Sequence, residues 1–242
     1  EKFLFKFTDC FVFESDYSAQ AYSTKVGKKS ENRAINYNGV SEPDLAALAA
    51  GARKLGYTLP PHADALHIGV FGILRPQKGQ INALKAAAEL KKRGTRCRLH
   101  LFGDGPDRAA LEAAASNLGI TGIVIFHGEV PDPAPHMYAM DVILIPSLFE
   151  SFGYAAIEAF SMRKPVVASA AGGLKEIIAD KSTGLLVPPG NFTAMADAIT
   201  EASTNPAAAA RVEAAFLDFK KRFTLPVMLS NLGNIYKRLR YG

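Results

Sequence analysis

The 242 residues describe a parallel, doubly wound, Rossmann-like α/β sheet. Short apolar runs recur at residues 66–71, 98–102, 123–126, 142–145, 166–168 and 185–187. Most of them are apolar throughout rather than at every second position, the pattern of strands covered on both faces. Segments with helical spacing, 80–92, 107–118, 151–162 and 174–179, lie between most of them. Strand and helix in regular alternation build a parallel sheet.

Taken in order, the chain opens on Glu1 and an aromatic run, Phe3-Leu4-Phe5-Lys6-Phe7. Such an opening suggests a piece of something longer. Residues 8–14 read as a strand, and Ser15 as the cap of a short helix to about Thr24. A charged loop, 27–32, leads to Ala34-Ile35-Asn36-Tyr37 and the turn Asn38-Gly39. Ser41-Glu42-Pro43-Asp44 opens an Ala- and Leu-rich helix ending near Gly56, and Pro60-Pro61 is a linker. The βα rhythm starts at Leu66. After Asn191 the chain turns helical, and Pro206 and Pro226 divide that region into three helices.

Composition narrows the function. Hydrophobic residues are 48% of the chain and the net charge is +5. The pI is near 9.1. An anionic ligand or membrane surface is compatible with this. The sequence has no aromatic-plus-basic array for nucleic acid, no apolar run of transmembrane length and no recognisable signal peptide. Cys10 and Cys97, far apart in sequence, read as buried free thiols in a reducing, cytoplasmic compartment rather than as a bridge. No Asp-x-Asp pair, Cys cluster or His pair stands at ligand spacing, so no metal is expected.

The stretch richest in chemistry is Pro146-Ser147-Leu148-Phe149-Glu150-Ser151-Phe152-Gly153-Tyr154, followed by Glu158. It passes from a buried strand into a helix, so it lies at the strand's carboxyl end, where open α/β sheets bind ligands. Gly153 allows close approach to the backbone. The first-turn amides of the helix suit a phosphate. Carboxylates on either side, Glu150 and Glu158, accept hydrogen bonds from hydroxylated rings. A diphosphate carrying a polyol ring at each end, as in a nucleotide sugar, fits that set. The plainer reading is a solvated helix start with Glu150 complementing the dipole.

Other turns follow strands. Gly72-Ile73-Leu74-Arg75-Pro76-Gln77-Lys78-Gly79 offers a glycine turn with two cations, a phosphate clamp or simply solvated loop charge. Gly103-Asp104-Gly105-Pro106 reads as a tight turn into a helix. His127, before Gly128-Glu129-Val130, reads as a capping or packing histidine; alone it makes neither a metal site nor a general base. In Ala171-Gly172-Gly173-Leu174, two glycines permit a ligand near the backbone.

These motifs, with Glu-Ser-Phe-Gly-x4-Glu-Ala-Phe at their centre, resemble the Glu-x7-Glu signature of retaining glycosyltransferases of the GT-B fold, family 4. The resemblance runs from about residue 8 to 200. It implies the C-terminal, donor-binding domain of a GT-B fold at 41–223, with 1–40 as the tail of an N-terminal acceptor domain. Asn38-Gly39-Val40 resembles the family's crossing between the two. Residues 224–242 would form a helix returning to the first domain.

By the same resemblance the donor is a UDP-, GDP- or ADP-sugar. Glu158 would hold the ribose, Glu150 the sugar ring, and Val130 the edge of the base. The amides of Phe152, Gly153 and Tyr154, with Gly72, Lys78 and Arg75, would hold the diphosphate in place of a metal. The family's usual Arg position is Ile73 here, and Arg75 stands two residues later. Glu176 resembles a structural position. The acceptor, a glycan or glycolipid, would meet the domain that is mostly missing, so this chain should bind nucleotide but transfer little alone. An epimerase or phosphorylase on the same fold, and a non-catalytic nucleotide-binding or interaction domain, are the competing readings. The basic end (Lys237, Arg238, Arg240) suits either a solvated helix end or the inner face of an acidic membrane. Neither base, sugar, linkage nor oligomeric state follows from the sequence.

Overall fold

The computed structural model describes residues 8–26, 32–59 and 65–241. The aromatic opening at 3–7, the loop at 27–31 and the Pro60-Pro61 linker lie outside the described residues. A small unit comes first: β1 (Phe11–Phe13), α1 (Asp16–Val26) and β2 (Arg33–Ile35), the two strands pairing in parallel. Ser15 caps α1, its hydroxyl oxygen accepting the Ser18 N–H at 3.0 Å. β1 is shorter than residues 8–14 because β2 offers it only three partners.

The main unit runs α2 (Leu45–Lys54), β3 (Leu66–Phe71), α3 (Gln80–Lys92), β4 (Cys97–Phe102), α4 (Arg108–Asn117), β5 (Val124–Gly128), α5 (Ala134–Ala139) and β6 (Val142–Ile145). It continues through α6 (Tyr154–Ser161), β7 (Val166–Ser169), α7 (Leu174–Ile177) and β8 (Leu185–Val187) to α8 (Phe192–Thr204), α9 (Ala208–Arg222) and α10 (Leu225–Tyr241). The six strands β3 to β8 form one parallel sheet in the order β5-β4-β3-β6-β7-β8. Successive side chains go to opposite faces. Ile68, Val70, Leu99, Leu101, Val142 and Leu144 pack under α3, α4 and α8. Phe102, Ile143 and Ile145 pack with α5, α6 and α9 on the other side. From β3 the chain winds outward one way to β5, and from β6 the other way to β8. The loops leaving β3 and β6 therefore diverge and open a crevice between them.

Further differences from the sequence reading have local causes. α6 starts at Tyr154, later than 151, because Gly153 has φ 125°, which an L side chain rarely adopts and a helix does not contain. α5 was hidden by Pro131, Pro133 and Pro135, yet proline is tolerated at a helix's first positions, where its missing N–H has no partner. For the same reason Pro226 lies in the first turn of α10 rather than between helices.

The two passages between the units run side by side. Val40 pairs with Thr224, the Val40 N–H donating to Phe223 O and the Leu225 N–H to Val40 O, each at 3.0 Å. A groove lined by Arg33 and Ile35 on one side, and Asn231, Asn234 and Arg238 on the other, separates β2 from α10.

Lys164, between α6 and β7, is buried, with its ammonium 4.6 Å from the centre of the Tyr138 ring. Burial lowers its pKa to about 8, only partly opposed by Asp141. The unfolded chain keeps lysine near 10.4, so between those values it binds more protons than the folded one. The resulting destabilisation is complete below pH 8 and vanishes as pH rises past the unfolded value. Lys164→Met should therefore stabilise the protein at pH 7 by about 2 kcal/mol. The advantage should disappear above about pH 10.5 in denaturant titrations.

Candidate functional site

A cleft of about 500 Å³ occupies the crevice between the β3 and β6 loops. Its wall includes Gly72 and Lys78 after β3, Asp104 after β4, Glu129 and Val130 after β5, and Ser147 and Glu150 after β6. Gly153, Tyr154 and Glu158 close it from the start of α6, and Phe71 and Phe102 form an apolar part.

Two loops are clasped to make the polar end. The Leu148 and Phe149 amides donate to Gln77 O at 2.8 and 3.2 Å. Gln80 Nε2 donates to Ile73 O at 2.9 Å, tying the β3 loop to α3. The clasp sets Lys78, last residue of the 3₁₀ turn Pro76–Lys78, against Glu150: Nζ donates to Oε2 at 2.7 Å. The same oxygen accepts the Ser147 hydroxyl at 3.1 Å. A carboxylate lowered into a cleft is thus neutralised by a cation and a hydroxyl, which lets it share the space with an anionic ligand.

Glu158 lies further along α6, on the face turned to the cleft. Among the described residues no group is hydrogen-bonded to its carboxyl, and burial holds its pKa above the usual range. An acceptor in that condition is improved by a hydroxyl donor. Tyr154 is half exposed on the rim; burial, then Glu14 and Glu158, raise its pKa.

Two residues singled out from sequence stand apart. Arg75 is exposed and does not line the cleft; it occupies the extended position that starts the 3₁₀ turn, three residues ahead of Lys78. Phe152 is also absent from the lining, and its ring is buried in the core near Tyr37 and Phe223. Ile73, where the resembling family has Arg, is an exposed apolar residue of the lining. Ser147, Phe71, Phe102 and Glu129 line the cleft without having been singled out. Ser147 alone had a sequence signal, three residues before Glu150 in the same strand exit.

The Gly172-Gly173 pair faces protein rather than ligand. A Cβ on Gly172 would lie 1.9 Å from Glu150 O, and one on Gly173 2.3 Å from Ser151 O. Gly173 N–H donates to Glu150 O at 2.9 Å. Glu176 accepts the Asp16 and Tyr17 amides at 2.9 and 2.7 Å, so a carboxylate of the main unit complements the α1 N-terminus of the small one. Ser15 Oγ donates to Ser151 O at 2.6 Å, adding a second tie beside the cleft.

Among the described residues no three His, Cys, Asp or Glu side chains are placed to hold a metal ion. No helix among them is long and apolar enough to cross a membrane.

Residues 61–216, more than half of the chain, match the family model described as glycosyl transferases group 1. The 2-deoxystreptamine glucosyltransferase of Streptomyces kanamyceticus is 37% identical over 171 residues, 69% of this chain and 44% of that protein. The alpha-D-kanosaminyltransferase of the same organism is 32% identical over 202 residues, 82% of this chain and 51% of the relative. Among solved structures, Anabaena HepE in complex with UDP superposes with TM-score 0.83 at 25% identity, over 98% of this chain and 65% of that one. Sucrose-phosphate synthase from Thermosynechococcus elongatus does so with TM-score 0.83 at 27% identity, over 98% and 60%. The chain spans about half the length of these curated relatives.

Proposed function

The chain belongs to the glycosyl transferases group 1 family, and on that footing we propose that its cleft binds a nucleoside diphosphate sugar for transfer to an acceptor hydroxyl with retention of configuration. Its sheet, six parallel strands between helices, is that of GT-B glycosyltransferases. The observation that carries the reading is one crevice holding a neutralised acid–cation pair, Glu150 and Lys78, together with an acid, Glu158, that has no hydrogen-bond partner among the described residues. HepE, whose fold this chain shares, is described in complex with UDP.

In this reading Lys78 and the amides of Gly153 and Tyr154 meet the diphosphate, with no metal required. Glu150 receives the hydroxyls of the sugar, and Glu158 those of the ribose. Val130 borders the base. The anomeric C–O bond breaks with its electron pair going to the β-phosphate. The acceptor oxygen attacks the same face and its proton passes to the leaving phosphate. Charge grows on that phosphate as the bond breaks, so cation and amides stabilise the transition state more than the ground state. Residues 41–223 would be the donor domain. In a protein built like the relatives, the acceptor would be held by sequence outside this chain, which alone should bind nucleotide and transfer little. Cys10 and Cys97 are unbridged, in keeping with a cytoplasmic setting.

Calorimetric titration with UDP, GDP, ADP and their sugars tests the proposal, which fails if none binds. The ribose assignment has its own check. Glu158→Ala should bind UDP about tenfold more weakly, the loss of charge-assisted hydrogen bonds. It should also lose any preference for UDP over 2′-deoxy-UDP. Undiminished UDP affinity in this variant would refute the role given to Glu158.

A further inference from the structure

We propose that His127 is a positioning residue for the nucleotide end of the cleft, acting through the ring of Phe102 and held by a hydrogen-bonded row of imidazoles that crosses three strands. The inference rests on reading the cleft as a nucleotide site.

Phe71 and Phe102 present their rings to the cleft, stacked at 4.5 Å and 5°. Behind Phe102 lies His127, its ring 4.1 Å away and inclined by 8°. His127 is the extra residue of a β-bulge: Leu101 pairs with Phe126, but Phe102 pairs with Gly128. Bulges re-aim side chains and end regular pairing beside functional sites. Here the bulge comes just before Val130, which lines the cleft. One side chain therefore supports both the apolar floor and the β5 turn.

The row behind it is continuous. His127 Nε2 and His100 Nδ1 are 2.9 Å apart, and His100 Nε2 and His67 Nδ1 are 3.0 Å apart. The rings are nearly parallel, at 14° and 23°. A neutral imidazole has one donor and one acceptor nitrogen, so the donors in such a row all point the same way. His100, in the middle, is buried. It can donate from both nitrogens only to neutral neighbours. A proton added to His127 while His100 is charged sets donor against donor.

Of the titratable groups around His127, His136 opposes its protonation. His136 of α5 lies 6.0 Å away, its Nδ1 paired with the Tyr57 hydroxyl at 2.8 Å. Asp132, ahead of α5, acts on His136. Glu129 follows two residues on and is exposed. Asp141 accepts the His67 backbone N–H. Arg108 of α4 lies over Phe126, the residue before His127. Among the described residues no carboxylate is bonded to His127. Burial, and then His136, lower its pKa.

The test uses this chain with its His127→Phe and His127→Ala variants, titrated with UDP at pH 7.5. Phenylalanine keeps a ring against Phe102 but cannot titrate or bond His100. His127→Ala should bind UDP about tenfold more weakly at pH 7.5, through the lost stack. His127→Phe, which restores a ring against Phe102, should recover most of that loss. Equal losses in the two variants, or parental affinity in His127→Ala, would overturn the proposal. Histidine ¹⁵N spectra of the ligand-free chain give a readout without nucleotide. His127 should stay neutral below the usual histidine range, and titration like an exposed histidine would also overturn it. Intact spectra with no UDP binding by the parent would instead sink the nucleotide reading.

Discussion

Lys78→Met should weaken UDP binding by about 30- to 100-fold, or about 2–3 kcal/mol, measured by calorimetry at neutral pH. Two losses combine. The charge-assisted contact to phosphate disappears, and Glu150 loses its cation. Glu150 is only 14% exposed and, among the described residues, is left with the Ser147 hydroxyl. A charge left in that position repels the incoming diphosphate as well as being poorly solvated. The double variant Lys78→Met, Glu150→Gln separates the two. It should recover about 1 kcal/mol of the loss, because the neutral amide no longer opposes the ligand. Additivity of the single changes would show that the pair in the unliganded cleft has no bearing on nucleotide binding. The single variant Glu150→Gln should leave UDP affinity nearly unchanged and lower affinity for the UDP-sugar, since the acid is assigned to the sugar ring. Equal losses for nucleotide and nucleotide sugar would contradict that assignment.

Much of this was legible in the chain because strand exits are local events. β3, β6 and β8 coincide with the runs at 66–71, 142–145 and 185–187, and α3 lies where its spacing indicates. Glu150, Lys78 and Gly153 lie in the loops that leave β6 and β3 and Glu158 in the helix that follows, so topology carries them to one edge. Contacts between distant segments were not legible. Glu176 reaches Asp16 and Tyr17 across about 160 positions of sequence. His67, His100 and His127 come from three strands whose adjacency only the sheet order supplies. From sequence His127 accordingly reads as a capping or packing histidine. The place of Arg75 was not legible either: a 3₁₀ turn begins at Pro76 and leaves Arg75 exposed outside the cleft lining. Two glycines before α7 suggested room for a ligand, and the room is filled by the chain's own backbone at Glu150 and Ser151.

That last contact gives the sharpest structural prediction. Gly173 has φ −65°, a value any residue adopts, so Gly173→Ala introduces no backbone strain of its own. Its methyl would nonetheless fall 2.3 Å from Ser151 O and 2.9 Å from Phe152 Cα, backbone atoms that cannot rotate aside. The 150–152 loop must move, and with it the carbonyl of Glu150 that accepts the Gly173 N–H. Overpacking of this kind costs about 1–3 kcal/mol. UDP affinity should fall by more than about tenfold in the same variant, because a displacement near 1 Å in a binding constellation is enough to lose that much. Gly56→Ala is the matched control. Its φ is +85° and nothing lies within 4 Å of the added methyl, so it carries strain without displacement. It should cost about 1 kcal/mol in denaturant unfolding and leave UDP binding intact. If Gly173→Ala lost stability but bound UDP like the parent, Glu150 would not owe its place in the cleft to the turn before α7. If both variants weakened binding alike, general destabilisation would explain the effect, and the close packing of the two strand exits would have no special part in shaping the site.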